Sequence, residues 1–133
     1  IEDFSQTRPR IIAALQAIKD HFKKRRVILV FYPHYSGWQE KEILKDIPKT
    51  FDLADLVILT KVLFRTNKAK ITGSEIVKII KKTNPNVFYQ PDDQKIIAFL
   101  KNNLEKGDVV VFMSSGGYRG INEKLIKYLE KEE

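Results

Sequence analysis

Apolar positions in this chain change period repeatedly, and each change marks an element boundary. Over 9–22, Ile11, Ala14, Leu15, Ile18 and Phe22 recur at helical spacing, which lines one face of a helix. Thr7 stands where a cap belongs, and Pro9 suits a first turn, where its missing N–H is not needed. Val27 to Phe31 is a continuous, β-branched-rich run, the composition of a strand covered on both faces, as in a parallel sheet. A second such run is Leu56 to Leu59, a third is Val87 to Tyr89 (stopped by Pro91), and a fourth is Val109 to Met113, entered through Gly107-Asp108.

Helical signals alternate with these runs. Residues 39–45 open a candidate helix that Pro48 ends or kinks. A short helix is predicted over 74–82, with Thr72-Gly73-Ser74-Glu75 offering capping residues. Asp92-Asp93 cap a helix that places Ile97, Leu100 and Leu104 on one face, and the final helix carries Ile121, Leu125 and Leu129 on one stripe. Strands alternating with helices form right-handed βαβ units. The expected class is α/β, a three-layer Rossmann-like domain with a mostly parallel sheet.

Length then bounds the organisation. At 133 residues the chain is one domain's worth and can bury a core without disulfide or metal staples. It contains no cysteine, which removes thiolate nucleophiles and cysteine-ligated zinc and agrees with a reducing, cytoplasmic setting. No apolar run reaches the ~18–20 residues that span a bilayer, and the start does not resemble a signal peptide, so no membrane role is expected. The first residue is Ile1 rather than methionine, so a fragment, a processed product or an artificial boundary is expected. A net charge of +7 fits an anionic partner, but the lysines are interspersed with glutamates, and a solvated basic surface explains them without nucleic acid.

In an open α/β sheet, ligands bind outside the carboxyl ends of the strands. Three segments occupy such ends or the chain start: Tyr32-Pro33-His34-Tyr35-Ser36-Gly37-Trp38, Ser114-Ser115-Gly116-Gly117-Tyr118-Arg119-Gly120, and Glu2-Asp3-Phe4-Ser5-Gln6. The glycine-rich loop either presents N–H groups to an anion at a helix start, with Arg119 nearby, or is a tight turn needing glycine for its backbone angles. It has neither dinucleotide spacing nor a following Gly-Lys-Ser/Thr. His34 is either a hydrogen-bonding or acid–base group, or a loop histidine with no task. No catalytic triad, metal-ligand spacing or carboxylate pair is evident, so the chain is not expected to complete a reaction alone.

These segments resemble the C-terminal domain of the Mur ligases, the ATP-dependent amide-forming enzymes of bacterial peptidoglycan synthesis. Glu2 to Pro9 is similar to the Asp-Asp-Phe/Tyr-Ala-His-His-Pro segment that opens that domain, and it continues into Ile11-Ile12-Ala13-Ala14-Leu15. Val30-Phe31-Tyr32-Pro33-His34-Tyr35-Ser36 resembles Val-Phe-Gln-Pro-His-Arg-Tyr-Ser with one residue deleted. Ala54 to Thr60 resembles Ala-Asp-x-Val-Ile-Leu-Thr, and Gly107-Asp108-Val109-Val110 resembles Gly-Asp-Val-Val. Met113 to Ile121 is similar to Met-Ser-Asn-Gly-Gly-Phe-Gly-Gly-Ile, the form found in tripeptide-adding members. The departures are Gln6 and Thr7 in place of the histidines, Arg8 in place of the proline, loss of the arginine after Pro-His, and Arg119 in place of a glycine.

The resemblance implies a three-domain ligase of which this chain is one domain, spanning 1–133. An N-terminal domain takes UDP-N-acetylmuramate, and a central domain binds most of the ATP and Mg2+. The C-terminal domain closes over ATP and brings the incoming amino acid or peptide to an acyl phosphate. It also implies Asp3, with Gln6, on the nucleotide. His34, Ser36, Ser114, Ser115 and Arg119 would line the acceptor pocket, with Gly116 and Gly117 allowing close backbone approach. Two rival readings are a non-catalytic Rossmann-like nucleotide- or ligand-binding module and a nucleic-acid-binding domain.

Overall fold

The computed structural model describes residues 1–33, 45, 47–62 and 71–132. Its elements are β1 (Glu2–Asp3), α1 (Arg8–His21), β2 (Val27–Phe31), β3 (Leu56–Leu59), α2 (Gly73–Ile80), β4 (Val87–Tyr89), α3 (Asp93–Asn103), β5 (Val109–Met113) and α4 (Ile121–Glu132). The four strands expected from apolar runs are all present, and the helix expected over 39–45 lies, except for Lys45, outside the described residues.

The strands form one parallel sheet in the order β1-β5-β2-β3-β4. That order dictates where the helices go. The steps β1 to β2 and β3 to β4 run in one direction across the sheet, and the step β4 to β5 runs back. Right-handed crossovers therefore put α1 and α2 on one face and α3 on the other. Strand parity agrees. Val27, Leu29, Phe31, Val57 and Leu59 pack with Ile11, Leu15, Ile76 and Ile80. Their alternates Ile28, Val30 and Ile58 pack with Ile96, Leu100, Ile121 and Leu125. A strand buried on both faces has no polar side to display, and this is why β2 reads as an unbroken apolar run.

Local signals set the helix starts. Thr72 and Glu75 form a reciprocal capping box at α2, and Asp92 accepts from the N–H groups of Gln94 and Lys95 at 2.9 and 3.3 Å. Thr7 caps α1 by position alone: its side chain makes no cap hydrogen bond, while its carbonyl accepts from Ile11 N at 2.9 Å. The final helix departs from its expected stripe. Ile121 and Leu125 are buried, whereas Leu129 and Ile126 are exposed, because α4 outruns the sheet edge at which only the two-residue β1 lies.

Gly73, the first residue of α2, lies against the ring of Tyr89. A Cβ there would sit 2.3 Å from Tyr89 Cε1, so Gly73→Ala must push the half-buried ring off the core. The expected result is a loss of about 1–3 kcal/mol, typical of overpacking, read as a lower urea midpoint. An unchanged midpoint would show that the ring moves freely.

Candidate functional site

From β2 the chain proceeds to β3 on one side, while β5, reached last, lies on the other. The strand order reverses between β2 and β5, and a crevice forms there outside the carboxyl ends, the usual ligand position of an open parallel sheet. Register aligns three strand ends at it: Asp3 pairs with Met113, and Met113 with Phe31. Asp3, Tyr32 and Ser114 therefore meet at one edge. His34 and Ser36, expected at the same place, lie outside the described residues. The strand that leads to them ends at this edge, with Pro33 buried.

Asp3 ends β1, an element absent from the expected list. β1 exists through its backbone: Phe112 N donates to Ile1 O at 2.8 Å and Ser114 N donates to Asp3 O at 2.9 Å. One carboxylate oxygen of Asp3 accepts from Ser5 N at 2.7 Å. The other accepts no hydrogen bond among the described residues. Beside it Phe4 is 70% exposed, 6.4 Å from the ring of Tyr118.

Gln6 faces inward. It is buried and donates from Nε2 to Tyr32 O at 3.0 Å, so here it braces the end of β2. Tyr32 is fully buried, and its hydroxyl donates to Tyr118 O at 3.1 Å. Burial pushes its phenol well above the usual tyrosine range, so it remains a donor. The Tyr118 hydroxyl in turn donates to Asp3 O at 3.2 Å. These bonds tie β1, β2 and the loop after β5 into one rigid unit.

Within that loop Ser114 is fully buried and its Oγ accepts from Gly116 N at 3.1 Å, while Ser115 and Gly116 are exposed. Gly117 has φ +100° with open space where a Cβ would stand, so backbone angle, not crowding, requires glycine there. Arg119 is also left-handed, at φ +50°. Its guanidinium is already held: Nε and Nη2 donate to the two carboxylate oxygens of Asp93 at 2.8 and 2.9 Å. Its Cζ lies 4.9 Å over the Tyr32 ring. The Asp93 hydrogen bond raises the Arg119 pKa against the opposing effect of burial. The fork expected to meet a ligand carboxylate thus holds an internal one.

Residue type and spacing alone do not mark Tyr32, Tyr118 and Asp93 as site residues. One signal was available for Asp93: in the doublet Asp92-Asp93 only one residue can be the N-cap, leaving the other free for another partner. Thr60, level with Tyr32 on the neighbouring strand, carries a buried hydroxyl with no hydrogen-bond partner among the described residues.

A groove of about 720 Å3 flanks β1 and α4. It is lined by apolar side chains such as Leu104, Val110 and Ile126 together with Glu2 and Asn122, which are hydrogen-bonded to each other. Among the described residues no three His, Asp or Glu side chains gather to hold a metal, and no helix is long and apolar enough to cross a membrane. The crevice gathers the Asp3 carboxylate, the glycine loop after β5 and the Arg119–Asp93 ion pair. These features define a Rossmann-like α/β domain with a crevice at its topological switch point.

The chain belongs to the Mur ligase family. The family model described as Mur ligase, glutamate ligase domain, matches residues 1–116. A UDP-N-acetylmuramate–L-alanine ligase of Sulfurihydrogenibium sp. is 31% identical over all of this chain and 30% of its own length. Among solved structures, a murein peptide ligase of Psychrobacter arcticus superposes with a TM-score of 0.77 at 22% identity, covering 96% of this chain and 26% of that one. A crystallised domain from Haemophilus ducreyi gives 0.69 at 18% identity, covering 96% and 88%. The chain spans under a third of the length of the curated relatives it matches.

Proposed function

We propose that this chain is the C-terminal domain of an ATP-dependent muramyl ligase of peptidoglycan synthesis or recycling, acting in the cytoplasm. The observation that carries this reading is the convergence of Asp3, the end of β2 and the 114–120 loop on one crevice in a Mur ligase family domain. The full enzyme would join UDP-N-acetylmuramate to an amino acid or peptide. ATP with Mg2+, bound mainly by a central domain, would supply the phosphoryl group that activates the carboxylate.

This chain's residues would act by binding and orienting. The free oxygen of Asp3 accepts from nucleotide ribose hydroxyls. Gln6 acts behind it, holding Tyr32 and so the strand end. Ser115, the backbone of Gly116 and Gly117, and Arg119 would serve the acceptor, as would His34 and Ser36, which lie outside the described residues. Ser114 shapes the loop they belong to. Closure of such a domain over the other two would exclude water from a reaction in which water competes with the amine.

The purified chain is expected to fold cooperatively and turn over no ATP. The longer protein containing it is expected to release phosphate only with UDP-N-acetylmuramate and an amine acceptor both present. ATP turnover that follows this chain through purification and vanishes in Asp3→Ala would overturn the assignment. A sequence ahead of Ile1 that encodes no Gly-Lys-Ser/Thr phosphate loop would favour the non-catalytic binding module.

A further inference from the structure

We propose that Arg119 and Asp93 form an exchangeable carboxylate site, in which Asp93 occupies the guanidinium fork until the planar carboxylate of a bound amino acid or peptide replaces it.

The position is unusual in backbone terms. Arg119 adopts φ +50°, a left-handed conformation that disfavours residues with a Cβ, although glycines stand two positions before it and directly after it. A side chain held there against that preference is held for what it reaches. It spans from the loop after β5 to the start of α3, crossing the ring of Tyr32 at 4.9 Å. Tyr32 is fixed from within by its bond to Tyr118 O, so the platform under the guanidinium does not depend on Asp93.

Asp93 can leave at little cost. Asp92, not Asp93, caps α3 through Gln94 N and Lys95 N. A released Asp93 stays in the first turn, where the helix field favours negative charge. The two side chains are 25% and 28% exposed, so the pair is open to solvent at the crevice. Two parallel N–H donors suit a ligand with two anionic oxygens in one plane. An amide or ester at that position of the ligand offers one neutral acceptor and does not displace Asp93. The pair therefore makes a free carboxylate on the incoming molecule a condition of binding. Naming that molecule as the ligase acceptor rests on the function proposed above; the exchange itself does not.

The test is nuclear magnetic resonance of the Arg119 Nε–H signal in this chain, with L-alanine as the carboxylate probe and L-alaninamide as its uncharged-terminus counterpart. Asp93→Asn and Asp93→Ser both remove the internal charge, and the serine keeps a residue suited to a helix start if the asparagine variant folds poorly. In either variant L-alanine is expected to shift the Arg119 signal saturably, with a dissociation constant about tenfold below that of the unmodified chain, a coupling of ordinary size. L-alaninamide is expected to leave it unmoved, and in Arg119→Gln, followed through the backbone amide of Gly120, L-alanine is expected to give no saturable shift. No saturable shift in a folded Asp93 variant, or equal shifts from both probes, overturns the exchange. In the longer protein, ligase activity whose acceptor KM ignores Arg119→Gln removes this site and leaves the ligase standing. Carboxylate exchange in a protein without ligase activity does the reverse.

Discussion

Asp108→Ala is expected to lower the unfolding free energy by about 2–3 kcal/mol. Asp108 stands at the entry to β5 with its side chain only 7% exposed. It accepts from Arg26 Nε at 3.1 Å, from Arg26 Nη2 at 2.5 Å and from Glu105 N at 2.8 Å. Arg26 leads into β2, so the pair clamps the two central strands at their amino ends. Breaking a buried ion pair by removing one partner costs roughly 3–5 kcal/mol, and the value is reduced here because the Arg26 side chain is 38% exposed and water can replace part of what is lost. Burial disfavours the Asp108 carboxylate, but the Arg26 and Glu105 hydrogen bonds outweigh it and hold its pKa below the ordinary value of 3.8. Asp55 behaves alike: burial opposes ionisation, while Lys19 and Val27 N favour it and prevail. A depressed folded pKa contributes stability that is present above the unfolded value and lost as pH falls through the folded one. Urea midpoints of the parent and Asp108→Ala should therefore differ most near neutral pH and converge as pH falls below about 4. A gap that stays constant into acid would show that Asp108 acts through packing, not charge.

The extent to which this fold can be read from residues follows the physical origin of each element. β2, β3 and β5 are buried on both faces, so their side chains alone announce them. The caps at Thr72 and Asp92 are local and legible for the same reason. β1 is not legible, because Glu2 and Asp3 are polar and the strand is made by backbone bonds to β5, more than a hundred residues away. The site divides in the same way. The crevice's position follows from alternating elements and the rule of strand ends, which places the 114–120 loop, whereas Asp3 is singled out through the family resemblance. Which way a side chain faces is settled by partners distant in sequence. Gln6 turns inward to donate to Tyr32 O, 26 residues later, and Arg119 is taken by Asp93, 26 residues earlier.

Asp3→Asn, introduced into the longer protein proposed above to be a ligase, is expected to raise the KM for ATP about tenfold with folding intact. Asparagine is the informative replacement because Asp3 has two tasks. Its Oδ1 accepts from Ser5 N, and its backbone carbonyl receives Ser114 N and the Tyr118 hydroxyl. An asparagine oxygen still accepts from Ser5 N, and the carbonyl is untouched, so the turn and the β1–β5 junction persist. Alanine would lose the turn as well and mix a structural effect with a binding one. What asparagine removes is charge. Hydrogen bonds to a charged group contribute about 1.5–3 kcal/mol and neutral ones about 0.5–1.5, and a difference near 1.4 kcal/mol is a factor of ten. A contact made equally in ground and transition states appears in KM rather than kcat, so the acceptor KM and kcat should change little. The measurement is steady-state phosphate release with ATP and acceptor varied separately. If the folded variant keeps the parent KM for ATP, Asp3 does not touch the nucleotide, and the carboxyl end of β1 serves only to anchor the loop after β5.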